Sequence, residues 1–465
     1  MPPFDPALLK RYDRPGPRYT SYPTAPQFTA DFTEEQLREQ ARRTDASAGS
    51  APPISLYVHI PYCSSPCFYC GCNRIITRDE TRGGTYLRYL QHEIALAAPL
   101  FSRRREVVQL HLGGGTPNFL RPGQLAELVT TLRNHFNLGA DAATRDYSIE
   151  LDPRFIRDGD IERFQEIGFN RASFGVQDFA PAVQRAINRV QSVEQTLAAI
   201  DACRASGFHS VNVDLIYGLP LQTPEGFRNT LDTLLDVRPD RFAIYGYAHM
   251  PQLFKAQRQI EREQLPDPTT KLHLLQLAIE KLGAAGYRYI GMDHFALPQD
   301  DLSRALDNGE LHRNFMGYTT HADCDLLGFG VSAISHIGAS FSQNVRDLGE
   351  WERSLEHGRL PLWRGLELSD DDELRATVIQ RLMCQGALDM SDIERRYGID
   401  FTSYFATSLD RLEPLVHDGL VTVIGNYICA TSRGRLLMRV IAMCFDRYLP
   451  AQLQTEERPR FSKVV

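Results

Sequence analysis

Four cysteines crowd into ten residues, Cys63-Ser-Ser-Pro-Cys67-Phe-Tyr-Cys70-Gly-Cys72. Spacings of four and three put three thiolates around one compact loop, and thiolates are the soft ligands that hold iron–sulfur clusters. A zinc knuckle is the competing reading. Structural zinc, however, takes four ligands, usually as two close pairs far apart in sequence. The remaining cysteines, Cys203, Cys324, Cys384, Cys429 and Cys444, are scattered singly. An odd total of nine, with this crowding, is a ligand pattern rather than a disulfide framework. Cys63, Cys67 and Cys70 are therefore expected to hold a [4Fe-4S] cluster, with one iron left open for a substrate or cofactor.

Further along lies Gly113-Gly114-Gly115-Thr116-Pro117, where three glycines let the backbone approach a ligand closely. Polar residues then recur at the ends of apolar runs: Glu150, Gln177 and Asp214, with Arg189 twelve residues after Gln177. Each could cap the helix that follows, as expected for Asp152 and Asp178. The apolar neighbours of Glu150, Gln177 and Asp214 equally suit an inward position, where carboxylates hold hydroxyl or ammonium groups and Arg189 a carboxylate.

These residues need a scaffold, and the pattern supplies one. Apolar runs at Ile54–Ile60, Val107–Leu112, Tyr147–Leu151, Arg171–Val176, Val211–Tyr217, Phe242–Tyr247 and Arg288–Met292 read as strands. Helical patterns lie between them, at Thr85–Leu96, Pro122–Phe136, Ile161–Ile167, Val193–Ala205 and Thr223–Leu235. This alternation implies parallel βα units. Six or more in succession predict a barrel or part of one, with its site at the C-terminal strand ends. The cysteine loop follows the first strand and the glycine triplet the second.

Three parts follow: an N-terminal arm over 1–50 with an amphipathic stretch from Phe32 to Arg43, a barrel over 51–365, and a C-terminal domain over 366–465. The last reads helix (Asp371–Gln385), helix (Ser391–Tyr397), helix (Thr402–Asp418), a hairpin turning at Gly425-Asn426, and helix (Arg433–Tyr448), an order similar to a winged helix. Without a concentrated basic recognition helix, packing is its expected role rather than DNA binding. The whole chain of 465 residues carries a net charge of −7, which argues against a dedicated nucleic-acid binder. No run approaches the ~18 apolar residues of a membrane span, and the Pro-rich start lacks the apolar core of a signal peptide. A soluble, cytosolic protein is expected.

Cys-x3-Cys-x2-Cys after a first βα strand resembles the radical S-adenosylmethionine (SAM) superfamily. There the open iron chelates the amino and carboxylate groups of SAM, and one electron cleaves the sulfonium to a 5′-deoxyadenosyl radical. Tyr69 stands where such proteins carry an aromatic residue against the adenine, and the glycine triplet resembles their motif for the SAM amino group.

The resemblance narrows further. Leu56-Tyr57-Val58-His59-Ile60-Pro61-Tyr62-Cys63, the Cys-Gly-Cys ending at Cys72, Gly-Gly-Gly-Thr-Pro, Tyr217-Gly218-Leu219-Pro220, Tyr247-Ala248-His249, Gly317-Tyr318-Thr319-Thr320 and Asp325 to Ser335 are similar to the oxygen-independent coproporphyrinogen III oxidase (dehydrogenase) family. Arg18 to Ala25 matches as well. Its composition alone suits a surface strap, but the resemblance implies an arm closing over the active site.

The implied reaction converts two propionates of coproporphyrinogen III to vinyl groups, giving protoporphyrinogen IX. The family is described with two SAM molecules. Carried over by motif, Tyr57, Gly114, Glu150 and Ile334 would meet the first. Tyr69, Gly115, Thr116, Gln177, Arg189, Asp214 and Ala248 would meet the second. Tyr57, Glu150 and Arg18 are the implied catalytic residues, with Arg18 a candidate for the substrate's carboxylates. Cys72 belongs to the pattern without being a ligand. Met316 departs from it, because some relatives carry glutamine there. A flavodoxin or ferredoxin is the plausible electron donor, no nucleic acid or membrane is expected as a partner, and the chain is expected to act as a monomer. The main alternative is a haem-binding chaperone of a sister family, which shares the loop and barrel but lacks the arm and the Cys-x-Cys ending.

Overall fold

The computed structural model describes residues 1–46, 51–139, 145–449 and 461–464. Contacts gather into two compact units: Phe28–Asp267 with Asp323–Glu367, and Met1–Gln27 with Pro268–Ala322 and Leu368–Val465.

The first unit is built on six strands in chain order: β1 (Ile54–Ile60), β2 (Glu106–Gly114), β3 (Asp146–Leu151), β4 (Arg171–Gln177), β5 (Ser210–Tyr217) and β6 (Arg241–Gly246). Each runs parallel to the next. On the other side of β1 lies β7 (Asp325–Phe329), also parallel. Antiparallel β8 (Ile334–Ile337), β9 (Ser340–Asn344) and β10 (Leu362–Glu367) then continue the sheet. Helices Thr81–Ala97, Pro122–His135, Asp160–Ile167, Val193–Ala205 and Pro224–Val237 make the crossovers. The expected strands and helices between 54 and 246 are present with small shifts at their ends. This is the α/β partial barrel expected.

Alternation along each strand divides its two faces. Leu56, Val58 and Ile60 of β1, Leu110 and Leu112 of β2, and Ile149 and Leu151 of β3 are buried. The opposite positions are polar and stand in register across the sheet. Tyr57 pairs with His111 and His111 with Ser148; Glu150 pairs with Ser173, Ser173 with Asn212, and Gly175 with Asp214. One face of the sheet thus gathers the polar side chains while the other packs the core.

The arm divides between the units. Helix Pro6–Tyr12 and the residues up to Gln27 belong to the second unit. Helix Glu34–Asp45 belongs to the first. There Gln40 donates to Glu367 at 2.8 Å and accepts from the Ala339 N–H at 3.2 Å. The arm's last residues, 47–50, and residues 450–460 of the expected C-terminal domain lie outside the described residues.

In the second unit, Arg288–Gly291 forms an antiparallel pair with His294–Ala296 rather than a further parallel strand. The C-terminal helices are Asp370–Gln385, Met390–Tyr397, Phe401–Tyr404 and Ala406–His417. The expected single helix over 402–418 breaks at Phe405, whose buried ring packs on Phe401 and Phe445. The hairpin Val421–Ile424 and Tyr427–Ala430 forms as expected, and Ala387–Asp389 adds a third strand. The expected last helix is shorter: Gly434–Leu437 is a 3-10 turn and Met438–Met443 one α segment, buried along its whole length. Among the described residues, no helix is long and apolar enough to cross a membrane.

Candidate active site

The cysteine loop leaves β1 through Pro61 and Tyr62 and is closed at its base by backbone bonds. Ile75 donates to the Pro61 carbonyl at 2.7 Å and Thr77 to that of Cys63 at 3.0 Å. Inside the loop, Arg74 donates to the carbonyls of Cys67 (3.1 Å) and Cys70 (3.4 Å). Phe68 and Tyr69 pack against Val183, Ile187, Ile216 and Tyr247, so the apolar residues between the cysteines seat the loop on the barrel. Each sulfur of the triplet meets a donor: Cys63 the Thr116 hydroxyl at 3.3 Å, Cys67 the Arg189 guanidinium at 3.6 Å, and Cys70 the Cys72 backbone N–H at 3.4 Å.

Cys63, Cys67 and Cys70 line one cavity of about 290 Å³ together with Tyr69, Gly114, Gly115, Thr116, Glu150, Gln177, Arg189 and Asp214. Among the described residues no three His, Cys, Asp or Glu side chains converge as the ligands of one metal ion would. Three thiols lining one cavity suit a polynuclear cluster, whose irons take separate ligands. The glycines leave room for a ligand to approach. A Cβ on Gly115 would stand 2.7 Å from the Pro61 carbonyl, and Gly114, at φ +113°, would drive one into the His59 ring. Arg189 Nε, buried beside this cavity, has no hydrogen-bond partner among the described residues, as a donor awaiting a ligand would.

The polar face of the sheet forms two connected clusters. Glu150 accepts from the Gly114 N–H at 3.2 Å and bonds His111 Nε2 at 3.2 Å, while His111 Nδ1 bonds Ser148 at 2.6 Å. Tyr57 stacks on His111 with ring centroids 5.9 Å apart and bonds His59 Nδ1 at 3.0 Å. Ile334 joins the same corner, since Tyr57 pairs with Gly328 and the Ile334 backbone crosses directly over that glycine. Asp214 accepts from Asn212 at 2.9 Å and Ser173 at 3.1 Å. Their surroundings shift the two carboxyls in opposite directions. Burial pushes Asp214 up to about 7, with the Glu150 charge adding to the shift. Burial acts on Glu150 in the same direction, but the bonds from His111 and Gly114 outweigh it and hold the carboxyl below its ordinary value. Two acids whose surroundings drive them apart mark a functional site.

Gln177 ends β4 in the left-handed region, at φ +70°, a costly conformation for a residue with a side chain. Ala248 follows β6. Tyr57, Ala248 and Ile334 are not part of the cavity lining. Arg18 belongs to the other unit and pairs with Asp293. Met316 sits at the tip of the turn between His312–Asn314 and Gly317–Thr319, its N–H donating to Asn314. Asp152 does cap the turn after β3, accepting from the Arg154 N–H at 3.1 Å, and it also pairs with Arg189 and Arg154. Asp178 accepts from the Ala180 N–H and from Gln222.

Sequence reasoning gave His59, His111 and Arg154 no role at the site, and gave Asp152 only that of a cap. For the histidines a signal existed, since Val58-His59-Ile60 and Leu110-His111-Leu112 place a lone polar residue between buried ones, the pattern of an inward barrel position.

Residues 57–234 match the model of the radical SAM superfamily, and residues 368–437 that of the HemN C-terminal domain. An oxygen-independent coproporphyrinogen III oxidase of Pseudomonas aeruginosa is 50% identical over 463 residues, 99% of each chain. The chain belongs to the oxygen-independent coproporphyrinogen III oxidase family. The oxidase of Escherichia coli is 46% identical over 462 residues, 99% of this chain and 98% of that one. The solved structure of coproporphyrinogen III oxidase (HemN) from Escherichia coli, a radical SAM enzyme, is 46% identical and superposes with a TM-score of 0.90, covering 96% of this chain and 99% of that one. As a radical SAM protein, this oxidase family member carries a [4Fe-4S] cluster and uses SAM. The names of these relatives do not favour the haem-chaperone alternative.

Proposed function

We propose that the protein decarboxylates two propionates of coproporphyrinogen III oxidatively, without oxygen, to give protoporphyrinogen IX. The observation that carries this reading is one cavity shared by Cys63, Cys67 and Cys70, the Gly114-Gly115 turn, and the carboxyls of Glu150 and Asp214, in a chain collinear with the oxidases over nearly its whole length. Each propionate loses a hydrogen atom from its β-carbon, then CO2 and one electron, leaving a vinyl group. When bound, the cluster and SAM supply the one-electron chemistry and the carbon radical that takes the hydrogen atom.

The chain's own residues hold and orient. Cys63, Cys67 and Cys70 are the cluster ligands, and Cys72 contributes its backbone N–H to the Cys70 sulfur instead. Two SAM molecules are proposed. Tyr57, Gly114, Glu150 and Ile334, already linked around β1, β2, β3 and β8, serve the first. Tyr69, Gly115, Thr116, Gln177, Arg189, Asp214 and Ala248 serve the second. An ionised Glu150 suits an ammonium group, and the unpartnered Arg189 Nε a carboxylate. Arg18, in the arm of residues 1–50, meets a propionate of the substrate, and residues 51–365 form the barrel domain. The C-terminal domain, 366–465, is a winged-helix-like packing module. We further propose a cytoplasmic monomer reduced by a flavodoxin or ferredoxin.

The test is an anaerobic assay of the reconstituted protein with SAM, a reductant and coproporphyrinogen III. Protoporphyrinogen and 5′-deoxyadenosine together are the expected result. Deoxyadenosine alone would keep the radical chemistry and discard the substrate.

A further inference from the structure

Two guanidinium groups flank the sulfur of Cys67. Arg189 Nη1 stands 3.6 Å from it and Arg154 Nη2 3.8 Å, both within N–H···S range. One carboxylate holds the two. Asp152 Oδ2 accepts from Arg154 Nη2 at 2.7 Å and from Arg189 Nη1 at 2.9 Å. The Asp152 backbone is itself pinned, its N–H donating to Asn118 at 3.0 Å, and the Arg154 guanidinium lies 5.3 Å over the Phe155 ring. Little water reaches the trio: the side chains of Arg154, Asp152 and Arg189 keep 13%, 6% and 7% of their exposure.

Two buried cations on one carboxylate leave a surplus positive charge, which is costly unless another anion takes it up. As a cluster ligand, Cys67 brings the thiolate that lies within reach of both. Arg189 has further work, donating to the Gly175 carbonyl at 2.6 Å. Arg154 spends its Nη2 on Asp152 and Cys67 alone. Hydrogen bonds to ligand sulfurs and local charge are two of the levers by which a protein sets the potential of an iron–sulfur cluster. A positive group beside a thiolate favours the reduced, more negative cluster.

We propose that Arg154 raises the reduction potential of the cluster through the Cys67 sulfur, with Asp152 as its opposing charge. Arg154 is a positioning residue, since it acts through the sulfur of a ligand. The inference rests on Cys67 being a cluster ligand, and not on the identity of the substrate.

The test is a potentiometric titration of the reconstituted full-length protein without SAM or substrate, followed by the paramagnetic signal of the reduced cluster, with iron and sulfide content measured alongside. Arg154→Met should keep its iron and shift the midpoint to more negative potential by a roughly tenfold change in the reduced-to-oxidised ratio, about 59 mV for one electron. Asp152→Asn keeps the capping geometry and should shift it the opposite way. Arg154→Lys should recover part of the loss. Opposite signs from neighbouring variants are something a merely structural role would not produce. An unchanged midpoint in Arg154→Met, or shifts of the same sign in it and Asp152→Asn, overturns the proposal. Where Arg154→Met loses iron, Arg154→Lys and Asp152→Asn decide by the same signs. Full iron content in Cys67→Ser would instead overturn the ligand reading beneath it.

Discussion

The hydroxyl of Tyr86 donates to the backbone carbonyl of His59 at 2.8 Å and accepts from the Val331 N–H at 3.2 Å. One side chain of helix Thr81–Ala97 thus ties the end of β1, where the cysteine loop begins, to the turn that follows β7. Two turns further along the same helix, Glu93 accepts from the Gly330 N–H at 2.8 Å, Asn344 at 2.6 Å and the Trp351 indole at 3.1 Å. The helix thus fixes the end of β1, from which the cysteine loop leaves, against the turn after β7 and the end of β9.

That grip should respond to pH. Burial pushes Glu93 up to about 7 from an ordinary 4.5, against the three hydrogen bonds it accepts. A carboxyl raised in the folded state binds more protons than its unfolded counterpart between those values, so stability falls as pH rises through the window from 4.5 to 7. The loss for a group only 2% exposed amounts to as much as about 3 kcal/mol. Chemical denaturation of the cofactor-free protein should show this decline, and Glu93→Gln should flatten it. An equally steep slope in the variant would assign the decline to other groups.

The cysteines should divide three to one. Cys63→Ser, Cys67→Ser and Cys70→Ser should each lose the cluster, read as iron and sulfide per chain after anaerobic reconstitution. Cys72→Ser should retain it, because serine keeps the backbone N–H that donates to the Cys70 sulfur and the three proposed ligands are untouched. Equal iron loss in all four would reject the ligand set.

Gly115→Ala should displace the loop that it touches. The new methyl would meet the Pro61 carbonyl at 2.7 Å and that of Tyr62 at 2.9 Å, and backbone cannot yield as a side-chain tip can. Overpacking of this kind costs about 1–3 kcal/mol, measurable as a lower denaturation midpoint together with weaker SAM binding. Unchanged values for both would mean that the two strand ends separate freely.

Glu150→Gln should weaken SAM binding by roughly tenfold to a hundredfold, the range of one charge-assisted hydrogen bond of about 1.5–3 kcal/mol. Equilibrium dialysis with the reconstituted protein measures it. Since the amide can still accept from the Gly114 N–H, the fold should persist, and an unchanged affinity would remove Glu150 from the SAM site.

Arg18→Glu sets two carboxylates against each other where Arg18 now pairs with Asp293, and also removes the charge proposed for a propionate. A rise in the KM for coproporphyrinogen III is expected, with deoxyadenosine formation in the absence of substrate unchanged. Unaltered turnover and KM would exclude Arg18 from substrate binding.

The sequence by itself determined the cysteine loop, the glycine turn, the parallel βα order and the family. Those features are local: ligand spacing, strand alternation and helix periodicity are written within a few residues of one another, and Ile54–Ile60 and Val193–Ala205 form with the expected bounds. Only the tertiary structure decided which polar residues meet. His111 and Glu150 lie 39 positions apart, and Arg189 and Asp152 37, joined by strand register and by the loops that follow the strands. The same holds for the protonation of Asp214, which depends on burial and on Glu150 across the sheet. It holds too for the break at Phe405, where a buried ring overrides helix periodicity. A pairing that spans dozens of residues leaves no periodic trace in either segment, so it is expressed only once the sheet has brought the two together.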